Sequence, residues 1–412
     1  MRLLSGRAAT RAVKRLAARG AKPSALEPLV RRIIRDVRGD GDRSLRRYAE
    51  RWDSLAPRQS MRVADAEMEA AWEFLTPQLK KSLRQASANI RRFCEWQKPA
   101  TWMKKRSDAC LGQIVRPLQS VGCYVPGGRY PLVSTLLMTV IPAQVAGVEE
   151  IRVVSPNASL EVLGAAKMLG VREVYRVGGA QAIAALAYGT KSIPRVDKIV
   201  GPGNAYVTAA KKLVSFDSAI DFLAGPTEAV VLSESGKAEF IAADLVAQAE
   251  HDSDALGVFI TCSRALADAV LSEIDKLTVS NLVAKQSLRR GVALLAASRE
   301  QARDWANLLA PEHITVDAED VPFIRNAGSI FVGDYSPQAA GDYAAGPNHV
   351  LPTAGQARFR GGLSVLDFVK IITVQEISPP GLLRIAKTVE CLAETEGLAA
   401  HAHSIRVRCN HA

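Results

Sequence analysis

From residue 112 onward the chain repeats one local plan, and that plan narrows the fold more than any other feature. A short β-branched run leads into a Gly- or Pro-containing turn, often followed by an Ala-rich stretch. Val121-Gly-Cys-Tyr-Val125 precedes Pro126-Gly-Gly128, and Ile151-Arg-Val-Val154 precedes Ser155-Pro156. Val174-Tyr-Arg-Val177 runs into Gly178-Gly179 and a helix over 180–188, and Lys198-Ile-Val200 runs into Gly201-Pro-Gly-Asn204 and a helix over 205–213. Parallel strands need a crossover of a dozen or more residues, usually a helix. Repetition at about 20–30 residues therefore predicts a doubly wound parallel sheet. The plan restarts with Ala229-Val-Val-Leu232, a helix over 239–250, Gly257-Val-Phe-Ile260, Val292-Ala-Leu-Leu295, a helix over 299–309, a strand over 314–316 and Ser329-Ile-Phe-Val332. The fold class is α/β, with two such units whose mutual cleft is a usual place for a ligand.

Residues 24–110 read as helix almost throughout. Leu29, Val30, Ile33, Ile34 and Val37 recur at helical spacing, as do Trp72, Leu75, Leu79 and Leu83. A last amphipathic helix is expected over 380–400. The expected organisation is a basic N-terminal extension (1–22), a helical region (23–111), a first α/β domain (112–226), a second (227–355), and a bridging segment with a C-terminal helical tail (356–412).

Residues 1–110 hold 26 Lys+Arg against 12 Asp+Glu, and the remainder 27 against 30. Such an end suits nucleic acid, an acidic surface or a targeting peptide, but it equally suits a solvated helix face. Aromatic residues are not interleaved with the basic ones, which argues against base stacking. No apolar run reaches the ~18–20 residues needed to cross a bilayer, and Met1-Arg-Leu-Leu-Ser-Gly lacks the apolar block of a secretory signal. Cysteines 94, 110, 123, 262, 391 and 409 form no CxxC pair. They are expected to be free thiols of a cytoplasmic protein.

All six histidines lie beyond residue 250, so any imidazole base or ligand comes from this half. Gln248 and His251, at i and i+3 near the end of a helix, share a face as paired ligands must. Glu312-His313 places a carboxylate beside an imidazole where a helix gives way to a strand, an arrangement suited to acid/base work. The stretch from Ser336 to Pro352 holds Asp342 and His349 and is expected to be an irregular loop; loops of that length are usually functional or disordered, and Tyr343, Val350 and Leu351 argue against disorder. The glycine turns at 126–128, 178–179 and 201–204 are candidates for phosphate contact through backbone N–H groups at helix starts. None is a GxGxxG with a trailing acid.

Taken together, these segments resemble the histidinol dehydrogenase family. The resemblance is carried by VGCYVPGGRYPLVSTLLM (121–138), VGGAQAIAALAYGT (177–190), VDKIVGPGNAYV (196–207), AGPTEAVV (224–231), QAEHDSDA (248–255), PEHI (311–314), AGDYAAGPNHVLPT (340–353), LSVLDF (363–368) and EGLAAH (396–401). It implies two incomplete Rossmann-like domains, a helical N-terminal arm and a small C-terminal helical tail in an interlocked homodimer with a shared active site. It implies one zinc per subunit on Gln248, His251 and Asp342, with His401 reaching in from the other subunit. Glu312 and His313 would be the acid/base pair. Substrate contacts would fall on Thr227, Gln248, His251, His313, Asp342, His349, Glu396 and His401, and NAD contacts on Tyr124, Gln181 and Asn204. Thr227 stands where Ser is common, Asp-Ser-Asp follows His251 where Gly is common, and the first 22 residues have no clear counterpart.

The implied reaction is the four-electron oxidation of L-histidinol to L-histidine with two NAD, through bound L-histidinal. Two other readings remain open at this stage: a zinc- and NAD-dependent paralogue acting on another small diol or amino alcohol, and a nucleic-acid-binding protein that uses the basic end. Neither a nucleic acid nor a membrane is an expected partner.

Overall fold

The computed structural model describes residues 1–20, 25–127 and 131–411. The boundary expected at 22/23 and Gly128 of the first turn lie outside them. The chain separates into two units, residues 1–97 with 118–368 and residues 98–117 with 369–412.

Two parallel sheets organise the larger unit. In one, the strands Glu173–Tyr175, Glu150–Val154, Ser120–Tyr124, Lys198–Val200 and Ala219–Ile220 lie side by side in that order. Every neighbouring pair is parallel. Numbered along the chain, the order is 3-2-1-4-5, so winding reverses between Ser120–Tyr124 and Lys198–Val200, which opens a crevice outside their carboxyl ends. Ser120–Tyr124 is buried at every residue, as a strand covered on both faces must be. Val30, Ile33, Ile34 and Val37 of the helix Glu27–Asp40 share a core with Ile183, Leu186 and Val207. Four of the five residues of the stripe read from the sequence therefore form the packing face, while Leu29 is exposed.

The second sheet has the order Arg2–Ser5, Val292–Leu295, Leu256–Thr261, Glu228–Leu232, His313–Val316 and Ser329–Val332, again all parallel. Its last five strands repeat the 3-2-1-4-5 pattern. Its first strand corrects the reading of residues 1–22 as an extension outside the domains. Arg2–Ser5 pairs along Val292–Leu295, and the helix Gly6–Ala17 buries Ala9, Ala12 and Val13 in a core with Val230, Leu232 and Trp305. Arg7, Arg11, Lys14 and Arg15 remain exposed on the other face, so the basic charge of this helix lies on a solvated face. Arg19 grips buried Glu228 through two contacts of 2.5 and 2.6 Å, which fastens the segment down.

Asp320 fixes the helix Arg299–Leu309 from below. Its fully buried carboxylate accepts from Arg299 at 2.8 and 2.9 Å and from Arg303 at 2.7 Å. Burial alone would raise this carboxyl, but the two guanidiniums outweigh it and hold the group below the usual carboxylate range. The folded-state value thus lies below the unfolded ~3.9, so the stabilisation is present above about pH 4 and disappears as pH falls through the lowered value. Asp320→Asn is expected to lower the Tm at pH 7 and to approach the parent protein below about pH 4. An equal Tm deficit at pH 3 and pH 7 would show that charge is not the cause.

The smaller unit is a three-stranded antiparallel sheet, Val369–Ile377, Ala109–Pro117 and Trp102–Lys105, with the helices Pro379–Thr395 and Ala399–Cys409. Helix therefore ends before residue 110, and the stretch read as bridging holds a nine-residue strand. The single helix expected over 380–400 is two, broken at Gly397, whose φ is +75°.

Candidate active site

At the carboxyl ends of the first sheet lies a cavity of about 420 Å³ lined by Tyr124, Gln181 and Asn204 together with Asp53, Trp52 and Tyr206. Tyr124 ends one strand of the winding reversal, and Asn204 follows the other. The loop between strand and Asn204 is tightly set. Gly201 has a φ of +113°, and a Cβ there would stand 2.2 Å from the Tyr124 carbonyl oxygen, so only glycine fits. Its N–H donates to Asp221 at 2.8 Å, and buried Lys211 pairs with Asp221 while donating to the Gly201 carbonyl at 2.9 Å. Asn204 Oδ1 caps the next helix by accepting from the N–H groups of Tyr206 and Val207. Asp53 was not found from the sequence. Its Oδ2 accepts from Gly178 N–H at 2.9 Å and from Gln181 Nε2 at 3.0 Å, and Gly179 N–H donates to the Tyr124 hydroxyl at 3.1 Å. The backbone donors read as phosphate candidates at 178–179 and 201 are thus satisfied inside the protein.

The second cluster sits at the amino ends of the second sheet, the end opposite to the usual one for such folds. Thr227 precedes Glu228–Leu232, Glu312-His313 opens His313–Val316, and Gln248 ends the helix Ala238–Ala249. At the opposite end the cavity is only about 20 Å³, and Asp317 occupies Ser233 and the Glu234 N–H. The expected loop from 336 to 352 contains a short helix, Gln338–Tyr343, which brings Asp342 over the cluster. It can lie that close because residue 341 is glycine, where a Cβ would stand 2.7 Å from the Phe331 ring.

Glu312 Oε2 accepts from Thr227 Oγ1 at 2.7 Å and from Glu228 N–H at 2.9 Å. Gln248 Nε2 donates to Asp342 Oδ2 at 2.8 Å. His313 is 3 % exposed and stacks on Phe331, with centroids 5.9 Å apart. Its Nδ1 is 3.7 Å from Glu312 and its Nε2 3.4 Å from Asp342, yet neither nitrogen has a hydrogen-bond partner. Buried polar atoms left so are uncommon. Burial, the largest single influence, pulls the His313 imidazole down. The Glu312 and Asp342 carboxylates outweigh it and raise it to about 10. Burial also tends to raise Asp342, but its contacts with His313 prevail and hold it low. His349 Nδ1 lies 2.6 Å from the Asp342 carbonyl oxygen, and burial lowers its imidazole.

His251 is exposed and lines a larger cavity of about 1280 Å³ with Tyr343, Leu137 and Gly127. Gly127 borders both this cavity and the one holding Tyr124 and Gln181. The donor set suits a divalent ion in two respects. Gln248 and Asp342 are already 2.8 Å apart, close to the ~3 Å between neighbouring ligand atoms on an ion with ~2.1 Å bonds. The amide can present oxygen at the same place by turning over. Among the described residues no three His, Cys, Asp or Glu side chains form a metal-holding group. The expected set has only His251 and Asp342 of those types in this unit.

A family model for histidinol dehydrogenase matches residues 17–409. The chain belongs to the histidinol dehydrogenase family. The histidinol dehydrogenase of Methanothermobacter thermautotrophicus is 48% identical over 391 residues, spanning 91% of this chain and 92% of that one. That of Methanosarcina mazei is 45% identical over 411 residues, spanning 96% and 95%. The crystal structure of histidinol dehydrogenase from Elizabethkingia anophelis matches with a TM-score of 0.95 at 34% identity, covering 100% of this chain and 98% of that one. As a member of the histidinol dehydrogenase family, the chain is an oxidoreductase. Among the described residues no helix is long and apolar enough to cross a membrane. Glu396 and His401, the remaining site residues expected for a histidinol dehydrogenase, are exposed residues of the smaller unit: Glu396 caps the helix Pro379–Thr395, and His401 lies in the helix Ala399–Cys409.

Proposed function

We propose that this protein oxidises L-histidinol to L-histidine with two NAD in histidine biosynthesis, through L-histidinal kept in the site, in the cytoplasm. The observation that carries the reading is the Glu312–His313–Asp342–Gln248 cluster, together with a second cavity that gathers Tyr124, Gln181 and Asn204. A mixed amide, imidazole and carboxylate set suits zinc, and we assign it to Gln248, His251 and Asp342 of one subunit and His401 of the partner subunit in a homodimer. Zinc bound there would hold the nitrogens of an amino alcohol and fix its carbinol carbon. NAD in the second cavity would accept hydride.

The chain's own groups then divide the proton work. His313 takes the hydroxyl proton of the substrate in each oxidation. Neither of its nitrogens has a hydrogen-bond partner, and the role needs the neutral ring, which requires bound ligands to offset the charges of both Glu312 and Asp342. Glu312 activates water on the aldehyde to give the gem-diol. Thr227 and the Glu228 N–H hold one of its oxygens in place. Thr227, His349 and Glu396 complete the substrate contacts, and a carboxylate at 396 favours a cationic amino alcohol over a neutral diol.

Glu312→Gln keeps an oxygen for Thr227 and Glu228 but cannot take a proton. Oxidation of supplied L-histidinal is expected to fall at least ~100-fold, within the usual span of general-base catalysis, while the first hydride transfer from L-histidinol falls far less. Single-turnover NADH formation from each substrate separates the two. Parent-like oxidation of L-histidinal by Glu312→Gln would overturn the assignment.

A further inference from the structure

The cavity that gathers Tyr124, Gln181 and Asn204 is organised by a residue from outside the sheet. Asp53 follows the helix Asp42–Trp52 and is 6 % exposed. Its Oδ2 receives both Gly178 N–H and Gln181 Nε2, so a carboxylate already stands where the start of the helix Gly179–Tyr188 attracts negative charge. A phosphate there would find Gly178 and Gly179 N–H occupied and would meet a like charge.

The same contacts fix what the cavity presents. With Nε2 on Asp53, Gln181 keeps Oε1 as an acceptor that takes no hydrogen bond from the described residues. Tyr124 accepts from Gly179 and stays a neutral phenol, pushed up to about 12 mainly by burial, so its O–H remains to donate. Asn204 spends Oδ1 on the helix cap and keeps its NH₂ as a donor.

Resting on the NAD reading above, we propose that Asp53 is a positioning residue of the dinucleotide cavity. It fills the anion place at the helix start and turns Gln181 so that the cavity takes a group bearing an NH₂ beside an acceptor, and not a phosphate. Adenine and the nicotinamide carboxamide share that chemistry.

The test is calorimetric titration of the full-length protein with NAD, AMP, nicotinamide mononucleotide and L-histidinol. Asp53→Ala is expected to weaken NAD binding at least tenfold and to leave L-histidinol binding within twofold. Whichever mononucleotide binds the parent protein loses the same factor, and this identifies the half of NAD involved. Asp53→Asn, which keeps the accepting oxygen, is expected to stay within threefold of the parent. Inorganic phosphate is expected to compete with NAD in Asp53→Ala only. NAD affinity within twofold of the parent in a folded Asp53→Ala overturns the proposal. So does an equal loss for NAD and L-histidinol with a lowered Tm, which marks a merely structural role. If Asp53→Ala does not fold, Asp53→Glu, with its carboxylate displaced by one methylene, is judged by the same NAD and L-histidinol criteria. A parent protein that binds no NAD removes the NAD reading and this proposal together, whereas a binding parent with an indifferent variant removes only this one.

Discussion

Asp342→Ala is expected to lose bound metal and activity together. Asp342 is the group that joins the cluster: its carboxylate meets Gln248 at 2.8 Å and His313 at 3.4 Å. Alanine removes a proposed ligand, frees Gln248 and deprives His313 of one of two neighbouring charges. A carboxylate ligand lost from a four-group site is expected to weaken metal binding by at least ~100-fold, more than the 10–100-fold typical of losing a supporting residue behind a ligand. His251→Ala is expected to do the same without disturbing the cluster, because His251 is exposed. Elemental analysis after gel filtration, beside turnover, is the check. Full metal content in either variant would break the ligand assignment.

Mixing two inactive proteins is expected to restore activity. If His401 serves the partner's site, a heterodimer of His401→Ala and His313→Ala subunits has one site with both histidines intact and one with neither. Random exchange between equal amounts gives about half heterodimers, each with one working site of two, hence about a quarter of parent activity. The smaller unit makes this physically reasonable. The helix Ala399–Cys409 buries only Ala402, leaving it little apolar surface with which to hold itself. A mixture that stays inactive after exchange is verified by mass spectrometry would place His401 in its own subunit's site.

Much of this architecture was readable because buried parallel strands leave a strong trace. Val121-Gly-Cys-Tyr-Val125 and Ala229-Val-Val-Leu232 are apolar on both faces and end in turns, which little besides a helix-covered sheet explains. Other features left no such trace. Arg2-Leu-Leu-Ser5 is four residues flanked by basic charge, and its partner strand begins at Val292, so no local pattern reveals the pairing. Ala109–Pro117 is the middle strand between Val369–Ile377 and Trp102–Lys105, with a mixed exposure that reads neither as helix nor as buried strand. The short helix Gln338–Tyr343 holds an internal glycine, which propensity disfavours, and it is set by the Phe331 contact. Asp53 is invisible from the sequence for a related reason: its partners lie 125 and 128 residues away. The residues of the second cluster were found through their chemistry and their family resemblance, whereas its place at the amino ends of the strands was not. That position follows from where Thr227 and Glu312 fall relative to their strands, which only the sheet register shows.

The account is tested most directly by incubating the zinc-loaded protein with L-histidinol and NAD and following NADH absorbance to completion. It predicts two NADH per L-histidinol, no accumulation of free aldehyde, loss of turnover with a chelator and recovery with added zinc. A protein that forms no NADH from L-histidinol, or that stops at one NADH and releases the aldehyde, would contradict it.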